Sequence, residues 1–391
     1  MKIAYLLSST IPLGGSTKAF TSLLSELMKR GINPIIIMPD KKGVFTKFQQ
    51  MGIECIAINY RLNTFPHHRT IKEWILFLPR IAGRLLLKKK AVNKIANYLK
   101  DQHVDIIHTN VGVIDIGFRV TRILNIPHIY HIREYCDLDF GLNYFPNKRA
   151  FYRQLSCENS YSICITKDMQ CHHQQAGKTT SRVIYDGICP QRKDFPRNGQ
   201  KQFFLYAGRI EPAKGLDLLL EAYRSYMSST HTPIPLWIAG SITQHIYYDL
   251  QVEYIERNNM QQFVVFLGER SDISDIMRQA RALIIPSRFE GFGLCMPEAM
   301  FQGCLAIGHN TAGTKEQLDN GLELTGKEIA LRYNTIEELT QLLKTVTERP
   351  SSDFDGYRLR AFDTVNQLYS SESNANSIYK FYNDIIQHKI H

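Results

Sequence analysis

The chain has 391 residues, of which 44% are hydrophobic and 21% charged, and this globular composition excludes a mainly disordered or collagen-like protein. At about 100–200 residues per domain, the length predicts two or three domains. The net charge of +10 is uneven, because residues 1–185 carry 26 basic and 12 acidic side chains while residues 186–391 carry 21 and 25. This asymmetry predicts two modules, of which the basic first one faces an anionic partner.

The cysteines and the N-terminus indicate a compartment. None of the eight cysteines forms a C-x-x-C pair, and Cys157, Cys164 and Cys171 repeat at an interval of seven without a second ligand pair for zinc. Free thiols are typical of a reducing compartment. The apolar run Ile3–Leu7 is too short for a signal peptide, and no stretch approaches the ~18 apolar residues of a membrane span. We therefore expect a cytoplasmic protein.

Short apolar runs alternate with helical periodicity along the whole chain. This βαβα rhythm predicts α/β architecture with parallel sheets in two Rossmann-like domains, 1–186 and 187–370. The polar segment Asp186–Lys201 is the predicted hinge, and the sequence leaves open whether a C-terminal helix in 371–391 packs back on the N-terminal domain. The predicted strands are Ile3–Leu7, Pro34–Met38, Glu54–Ile58, Asp105–Thr109, Pro127–His131, Tyr161–Ile165, Phe203–Ala207, Pro235–Ala239, Phe263–Leu267, Ala282–Pro286, Leu305–Gly308 and Ile329–Tyr333.

One loop carries a glycine-rich motif between a buried strand and a helix. Gly291 and Gly293 lie in this loop, and Pro297 suits the first helical turn. Such a turn presents backbone N–H groups and a positive helix end to an anion. Glu290 and Glu298 flank the loop, and because carboxylates repel phosphate they are predicted to accept hydrogen bonds from sugar hydroxyls. The alternative is a loop glutamate and a glutamate that stabilises a helix N-terminus.

A second loop, after the predicted strand Phe203–Ala207, carries two cations. Arg209 offers a planar fork for phosphate oxygens, and Lys214 adds a compact charge five residues later. Together they could neutralise a diphosphate leaving group without a metal. The alternative is a solvated surface pair.

These segments resemble glycosyltransferase family 4, whose members are retaining enzymes of the GT-B fold. The resemblance is specific over residues 200–320, where several motifs occur in the family's order, and looser in the first half. The matching pieces are Gly208-Arg209, Lys214-Gly215, Ile238-Ala239-Gly240, Val265-Phe266-Leu267-Gly268, Pro286-Ser287, Glu290-Gly291-Phe292-Gly293, Pro297-Glu298-Ala299, Gly313-Thr314-Lys315-Glu316 and, in the first half, Gly14-Gly15-Ser16 and His131-Ile132-Arg133-Glu134.

The resemblance implies two Rossmann-like domains whose parallel sheets face across a cleft, and transfer of a sugar from a nucleotide-diphosphate sugar to an acceptor hydroxyl. The acceptor would be a glycan or a lipid-linked or surface-polysaccharide intermediate. The nucleotide-sugar is a co-substrate, and no cofactor or metal is expected. Implied catalytic residues are His131, Glu290, Arg209 and Lys214. Implied donor-binding residues are Gly14, Gly15, Gly208, Arg209, Lys214, Gly240, Gly268, Glu290, Gly291, Phe292, Gly293, Leu294 and Glu298.

Parts of the sequence also match other kinds of protein. The triplets 137–139 and 353–355 match the D-x-D pattern of metal-dependent transferases, but chance explains both in a chain with this much aspartate. A nucleotide-sugar epimerase or hydrolase of the same fold is the nearer alternative. A basic nucleic-acid-binding protein is the alternative from another class, but no nucleic-acid-binding motif occurs, and base-stacking aromatic residues do not cluster with the cations.

The segment Arg69–Lys94 is the clearest basic feature, with eight basic residues, one acid and interleaved apolar residues. This pattern predicts contact with an anionic membrane at the inner face of the cell membrane, or with a charged acceptor. The alternative is a basic helix face packed on the sheet. The candidate residues are Arg80, Arg84, Lys88, Lys89 and Lys90.

Overall fold

The apolar runs of the chain form two parallel sheets in a computed structural model that describes residues 1–8, 15–66, 71–196 and 202–387. The chain divides into two compact units. Unit 1 comprises Met1–Gly187 together with the segment from Ser371 onward, and unit 2 comprises Ile188–Ser370. Within the described stretches, every helix is too short or too polar to span a bilayer.

Unit 1 alternates strands and helices and receives the last helix of the chain. Its elements are β1 (Lys2–Leu6), α1 (Gly15–Lys29), β2 (Asn33–Met38), α2 (Val44–Gln50), β3 (Glu54–Ala57), β4 (Thr64–Pro66), α3 (Ile71–Leu99), β5 (Ile106–Thr109), α4 (Ile116–Leu124), β6 (His128–Ile132), α5 (Asp137–Phe140), β7 (Leu142–Tyr144), α6 (Lys148–Leu155), β8 (Ser160–Cys164), α7 (Lys167–His172), β9 (Ser181–Val183) and α15 (Ser371–Ile386).

Unit 2 repeats the alternation, with short 3-10 turns at Pro212–Lys214 and Ser351–Phe354. Its elements are β10 (Phe204–Ala207), α8 (Leu216–Ser229), β11 (Leu236–Ala239), α9 (His245–Arg257), β12 (Val264–Gly268), α10 (Ile273–Gln279), β13 (Ala282–Ile285), α11 (Cys295–Phe301), β14 (Ala306–His309), α12 (Ala312–Thr325), β15 (Leu331–Tyr333), α13 (Ile336–Glu348) and α14 (Asp355–Leu368).

Each unit is built on one parallel sheet covered by helices. Among the described residues the sheet of unit 1 has the order β3-β2-β1-β5-β6-β8-β9, and that of unit 2 has the order β12-β11-β10-β13-β14-β15. Strands such as β2, which runs Asn-Pro-Ile-Ile-Ile-Met, are buried along nearly their whole length because helices cover both faces. Helix α15 supplies Ala375, Ile378 and Phe381 to the core of unit 1.

The prediction of α/β architecture with parallel sheets is confirmed. All twelve predicted strands form, with ends that differ from the prediction by at most two residues. The structure adds β9 at the edge of the first sheet and an antiparallel pair of β4 and β7. These three strands have three residues each, which is too short for a recognisable apolar run.

Candidate functional site

The loops that leave the carboxyl edge of the unit 2 sheet are joined to one another by backbone hydrogen bonds. The N–H of Gly208 donates to the carbonyl of Ala239 (2.9 Å), and the N–H of Gly240 donates to the carbonyl of Gly268 (2.8 Å). Three glycines predicted to bind the donor therefore lie together where β10, β11 and β12 end. The carboxyl edge of a parallel sheet is the usual place for ligands in α/β proteins.

Lys214 and Glu290 form an ion pair at this edge. Gly215, which follows Lys214, has φ +67°, and a Cβ there would lie 2.1 Å from the carbonyl oxygen of Pro286, so only glycine permits this approach. The close approach brings the end of the 3-10 turn to the loop after β13. Lys214 Nζ then lies 2.6 and 2.8 Å from the two carboxylate oxygens of Glu290. Burial lowers the pKa of Lys214, but Glu290 raises it by more, and the net shift is upward.

The loop that carries Glu290 is held from α12. The N–H of Gly313 donates to the carbonyl of Glu290 (3.0 Å), and the side chain of Gln317 donates to the carbonyls of Phe292 and Gly293. Gly293 has φ +82°, and a Cβ there would lie 2.5 Å from Cγ of Glu290, so glycine is required for this fold of the loop. The position of the Glu290 carboxylate is therefore set by backbone contacts on both sides.

A second ion pair joins the same two segments. Arg288 donates to both carboxylate oxygens of Asp217 (2.8 and 2.6 Å), and Tyr247 donates to Asp217 as well (2.7 Å). Burial raises the pKa of Asp217, but these hydrogen bonds and the charge of Arg288 lower it by more, so the carboxyl is ionised. This bidentate pair stabilises the approach on which the contact between Lys214 and Glu290 depends.

Arg209 and Glu298 lie on the same loops. The Arg209 guanidinium is 2.9 Å from Glu211 and remains 42% exposed, so it is accessible to a ligand. Its charge is close enough to lower the pKa of Lys214, although less than Glu290 raises it. Glu298 is half-buried in the first turn of α11, whose N-cap is Leu294 and whose first turn contains Pro297, as predicted.

In unit 1, His131 lies near the end of β6 and is fully buried. Its Nδ1 atom is 3.1 Å from Nε2 of His108, and its Nε2 atom is 4.0 Å from a carboxylate oxygen of Asp186, which is ion-paired with Arg133. Burial, then Arg133 and His108, hold the pKa of His131 well below its usual range, so the imidazole is neutral. Gly15 is the first residue of α1, whereas Gly14 lies outside the described residues.

The predicted basic patch lies on α3, and one of its members is not a surface cation. Lys88 Nζ is 2.9 Å from Asp115, its side chain is only 13% exposed, and it also donates to Asn63. Lys88 therefore shares its charge with a buried carboxylate, but it also lines a groove between α3 and α4, and its place in the patch stays a prediction. The buried Asp115 also binds Arg119 on α4 (2.8 Å), so the acid ties the two helices together.

The other patch residues have separate environments. Lys89 and Lys90 are exposed, and Arg84 donates to the carbonyl of Thr64 (3.0 Å); the Arg80 side chain lies outside the described residues. A groove of about 450 Å³ lies between α3 and α4 and is lined in part by Lys88 and Lys89. It is lined mainly by apolar side chains with cations at its rim, and its lining includes Leu85, Lys89, Val92, Phe118, Arg122 and Ile123.

Neither D-x-D triplet forms a metal centre. Asp137 contacts Lys148 (2.8 Å) and His172 (2.8 Å), and Asp355 contacts Arg358 (2.7 Å). Across the described part of the chain, no three His, Cys, Asp or Glu side chains converge as metal ligands.

Sequence reasoning missed the residues that support the site. Nothing in the sequence marks Gln317 as a site residue, because glutamine is common on helices. The pair Arg288–Asp217 did carry one, because Arg288 precedes Glu290 by two residues and Asp217 follows Gly215 by two. Opposite charges at matched offsets from two motif segments are a sign that the segments meet.

Comparison with known proteins covers the segment that carries this site. Residues 189–353 match the family model described as glycosyl transferases group 1. An uncharacterised glycosyltransferase of Methanocaldococcus jannaschii is 24% identical over 229 residues, which cover 58% of this chain and 61% of that protein. The chain therefore matches less than two thirds of this relative. An Escherichia coli UDP-Gal:alpha-D-GlcNAc-diphosphoundecaprenol alpha-1,3-galactosyltransferase is 23% identical over 70% of this chain and 74% of its own length.

A solved structure extends the likeness to the whole chain. The crystal structure of Anabaena HepE in complex with UDP and glucose superposes with a TM-score of 0.75 at 19% sequence identity, covering 98% of this chain and 99% of that one. At this identity the likeness shows the fold, and the family match in unit 2 confirms the resemblance drawn from its motifs. The chain therefore has the GT-B fold, and its residues 189–353 match the model of the glycosyl transferases group 1 family.

Proposed function

We propose that this protein transfers a sugar from a nucleotide-diphosphate sugar to an acceptor hydroxyl, with retention of the anomeric configuration. The observation that carries the proposal is the ion pair of Lys214 and Glu290 at the carboxyl edge of the unit 2 sheet, inside the family-matched segment. The lysine can bind the diphosphate of such a donor, and the carboxylate can accept hydrogen bonds from the hydroxyls of the sugar joined to it. The similar Anabaena structure contains UDP and glucose, which supports this ligand class.

In this proposal Lys214 and Arg209 neutralise the diphosphate. Lys214 keeps its charge because Glu290 raises its pKa, and the Arg209 guanidinium, which is 42% exposed beside Glu211, donates to phosphate oxygens. Negative charge grows on the diphosphate as the bond to the sugar breaks, so these cations stabilise the transition state more than the ground state. Two cations can do this work without a divalent metal.

The acids and loop glycines of unit 2 hold the remainder of the donor. Glu290 accepts hydrogen bonds from hydroxyls of the transferred sugar, and Glu298 accepts them from the ribose. The backbone of Gly291, Phe292, Gly293 and Leu294 contacts the sugar or phosphate, while Gly208, Gly240 and Gly268 keep the strand ends free of side chains. The hydrogen bonds from α12 to the Glu290 loop preorganise these contacts.

His131, Gly14 and Gly15 of unit 1 complete the proposed machinery. The neutral imidazole of His131 forms a hydrogen bond with a hydroxyl of the transferred sugar, and the glycines allow their loop to approach the donor. The acceptor hydroxyl attacks the anomeric carbon on the face that the diphosphate leaves. Its proton passes to the departing phosphate oxygen, so no separate general base is needed.

For the acceptor we propose a lipid-linked or surface-polysaccharide intermediate at the inner face of the cell membrane. The similar Escherichia coli galactosyltransferase is named for an acceptor linked to diphosphoundecaprenol, and this supports the proposal. Exposed Lys89 in the lining of the apolar groove between α3 and α4, together with exposed Lys90 next to it in the sequence, suits a surface that is both anionic and apolar.

The experiment is to incubate the protein with a panel of nucleotide-diphosphate sugars and a lipid-linked glycan fraction, and to measure nucleoside diphosphate release and product configuration. We expect one donor to give an acceptor-dependent product with retained configuration, and activity to persist in EDTA. Donor turnover without any acceptor would favour an epimerase or hydrolase. Loss of activity in EDTA, restored by Mn²⁺ or Mg²⁺, would contradict the metal-free mechanism.

A further inference from the structure

A chain of buried hydrogen bonds runs through unit 1 from the C-terminal helix to His131. Tyr382 on α15 contacts Tyr5 on β1 (3.2 Å between the hydroxyl oxygens) and Nδ1 of His108 on β5 (2.6 Å). His108 Nε2 then contacts Nδ1 of His131 (3.1 Å). At most 1% of any of these four side chains is exposed, so water does not replace the bonds.

The chain has a direction that fixes the tautomers. Tyr382 donates its only hydroxyl hydrogen to Tyr5, so the 2.6 Å contact with His108 requires a hydrogen on Nδ1 of His108. Burial holds the pKa of His108 well below its usual range, so the ring is neutral and its Nε2 is an acceptor. The 3.1 Å contact therefore takes the hydrogen on Nδ1 of His131, and Nε2 of His131 has a free lone pair.

Two charged groups beside His131 favour the opposite tautomer, but both lie farther from the ring than the hydrogen bonds of this chain. Arg133 approaches Nδ1 only to 3.5 Å and gives its short contacts to Asp186 instead. Asp186 lies 4.0 Å from Nε2, beyond hydrogen-bond distance. Among the described residues, Nε2 of His131 has no hydrogen-bond partner. A buried nitrogen left without a partner destabilises the folded protein, and a hydrogen bond from a ligand hydroxyl removes that cost.

We infer that Tyr382 and His108 are positioning residues, which hold His131 in the Nδ1–H tautomer so that Nε2 accepts a hydrogen bond from a substrate hydroxyl. The inference deepens the proposed function and rests on its assignment of His131. It also gives α15 a role besides packing, because the helix supplies the hydroxyl that orients the first histidine. A sugar that presents a hydroxyl hydrogen is bound, whereas fluorine at the same position lacks the donor.

The first test reads the tautomer directly, without substrate. In the full chain labelled with ¹⁵N-histidine, with signals assigned through His131→Gln, we expect His131 to show a protonated Nδ1 and an unprotonated Nε2. Tyr382→Phe should give mixed tautomers. Tyr5→Phe should reverse the direction, because Tyr382 is then free to donate to His108. Tyr161→Phe, which removes a hydroxyl elsewhere in the same core, is the matched control and should change nothing.

The second test is kinetic, and the melting temperature of each variant shows whether it is folded. With a donor that the parent uses, we expect kcat to fall about tenfold in Tyr382→Phe and in Tyr5→Phe, with little change in the donor KM and none in Tyr161→Phe. A protonated Nε2 in the parent, or one tautomer shared by parent and both variants, would overturn the inference. A parent that turns over no nucleotide-sugar would instead overturn the proposed function and leave the tautomer result standing.

Discussion

Lys214 Nζ lies 2.6 Å from one carboxylate oxygen of Glu290 and 2.8 Å from the other, although the residues are 76 positions apart in the chain. The pair forms because Gly215 allows the start of α8 to approach the segment that follows β13. Each partner depends on the other, since the lysine is largely buried and the carboxylate needs a counter-charge. Replacing one partner therefore changes the chemistry of both.

Glu290→Gln should give donor binding a new pH dependence. Without the carboxylate, burial lowers the pKa of Lys214 unopposed, so the ammonium loses its proton at a lower pH than in the parent. Lys214 attracts phosphate only in its charged form. We therefore expect the affinity for a nucleotide-sugar to fall at a lower pH in this variant than in the parent. Calorimetric titration between about pH 6 and pH 10 measures the shift. The exposed Glu323→Gln on α12 is the control, and identical pH profiles for all three proteins would contradict the assignment.

Lys214→Ala and Arg209→Ala should each slow transfer, with ~2–4 kcal/mol added to the barrier, the usual scale for a lost charge-stabilising donor. Steady-state kinetics with the preferred donor give kcat/KM for each variant. Lys315→Ala removes a cation that pairs with Asp319 on the surface of the same unit, and it should be neutral. Near-parental kinetics in both site variants would remove the diphosphate assignment.

Glu134 should make unit 1 less stable in alkaline solution. Burial, then Asp139, raises the pKa of Glu134 from 4.5 to about 8, even though backbone N–H groups of Gly112 and Val113 donate to it. The folded state therefore holds a proton that the unfolded chain releases above about pH 4.5, so stability falls as the pH rises from there towards 8. The loss is at most about 5 kcal/mol.

Glu134→Gln mimics the protonated acid and should remove this part of the pH dependence. Denaturant unfolding at several pH values, followed by a probe in unit 1, measures the effect. We expect the variant to gain stability over the parent as the pH rises from about 4.5 to about 8, and the difference to stay constant above that. A constant difference between the two proteins at every pH would show that Glu134 does not titrate in this range.

The different environments of the patch lysines lead to different predictions for neighbouring positions. Lys89 and Lys90 are exposed, so replacing both with Gln should weaken binding to anionic vesicles by ~1 kcal/mol per charge at low salt. Lys88→Gln should instead destabilise folding, because it removes a partner of the buried Asp115. Vesicle sedimentation and thermal melting separate the two effects. The exposed pair Lys41 and Lys42, replaced in the same way, is the control, and equal losses for both pairs would indicate unspecific attraction.

The strands could be predicted because each is a buried apolar run between helical stretches. The run Ile35-Ile36-Ile37 in β2 is an example, since no other element of this length suits it. The strands β4, β7 and β9 could not be predicted in this way. Each has only three residues, and a polar residue or proline interrupts the apolar run in each. The packing of α15 on unit 1 could not be predicted either, because an apolar helix face can pack against the core of either domain.

The sequence predicted residues of the candidate site but not the contacts between them. Glu290 and Lys214 stood out through the glycines around them, but their contact depends on two loops that only the folded sheet brings together. The buried ion pair of Lys88 could not be predicted, because its sequence neighbours are exposed lysines and its partner Asp115 lies at the start of another helix. His108 and Tyr382 gave no signal, because a histidine in a strand and a tyrosine in a helix are ordinary core residues.

Binding of nucleotide-diphosphate sugars to the parent protein and to Lys214→Ala, measured by calorimetry in the presence of EDTA, tests the central claim most directly. The account predicts that at least one donor binds the parent, and that the variant binds it at least tenfold more weakly while its melting temperature without ligand stays close to that of the parent. Equal affinity in the two proteins, or no binding of any nucleotide-sugar to the parent, would contradict the account.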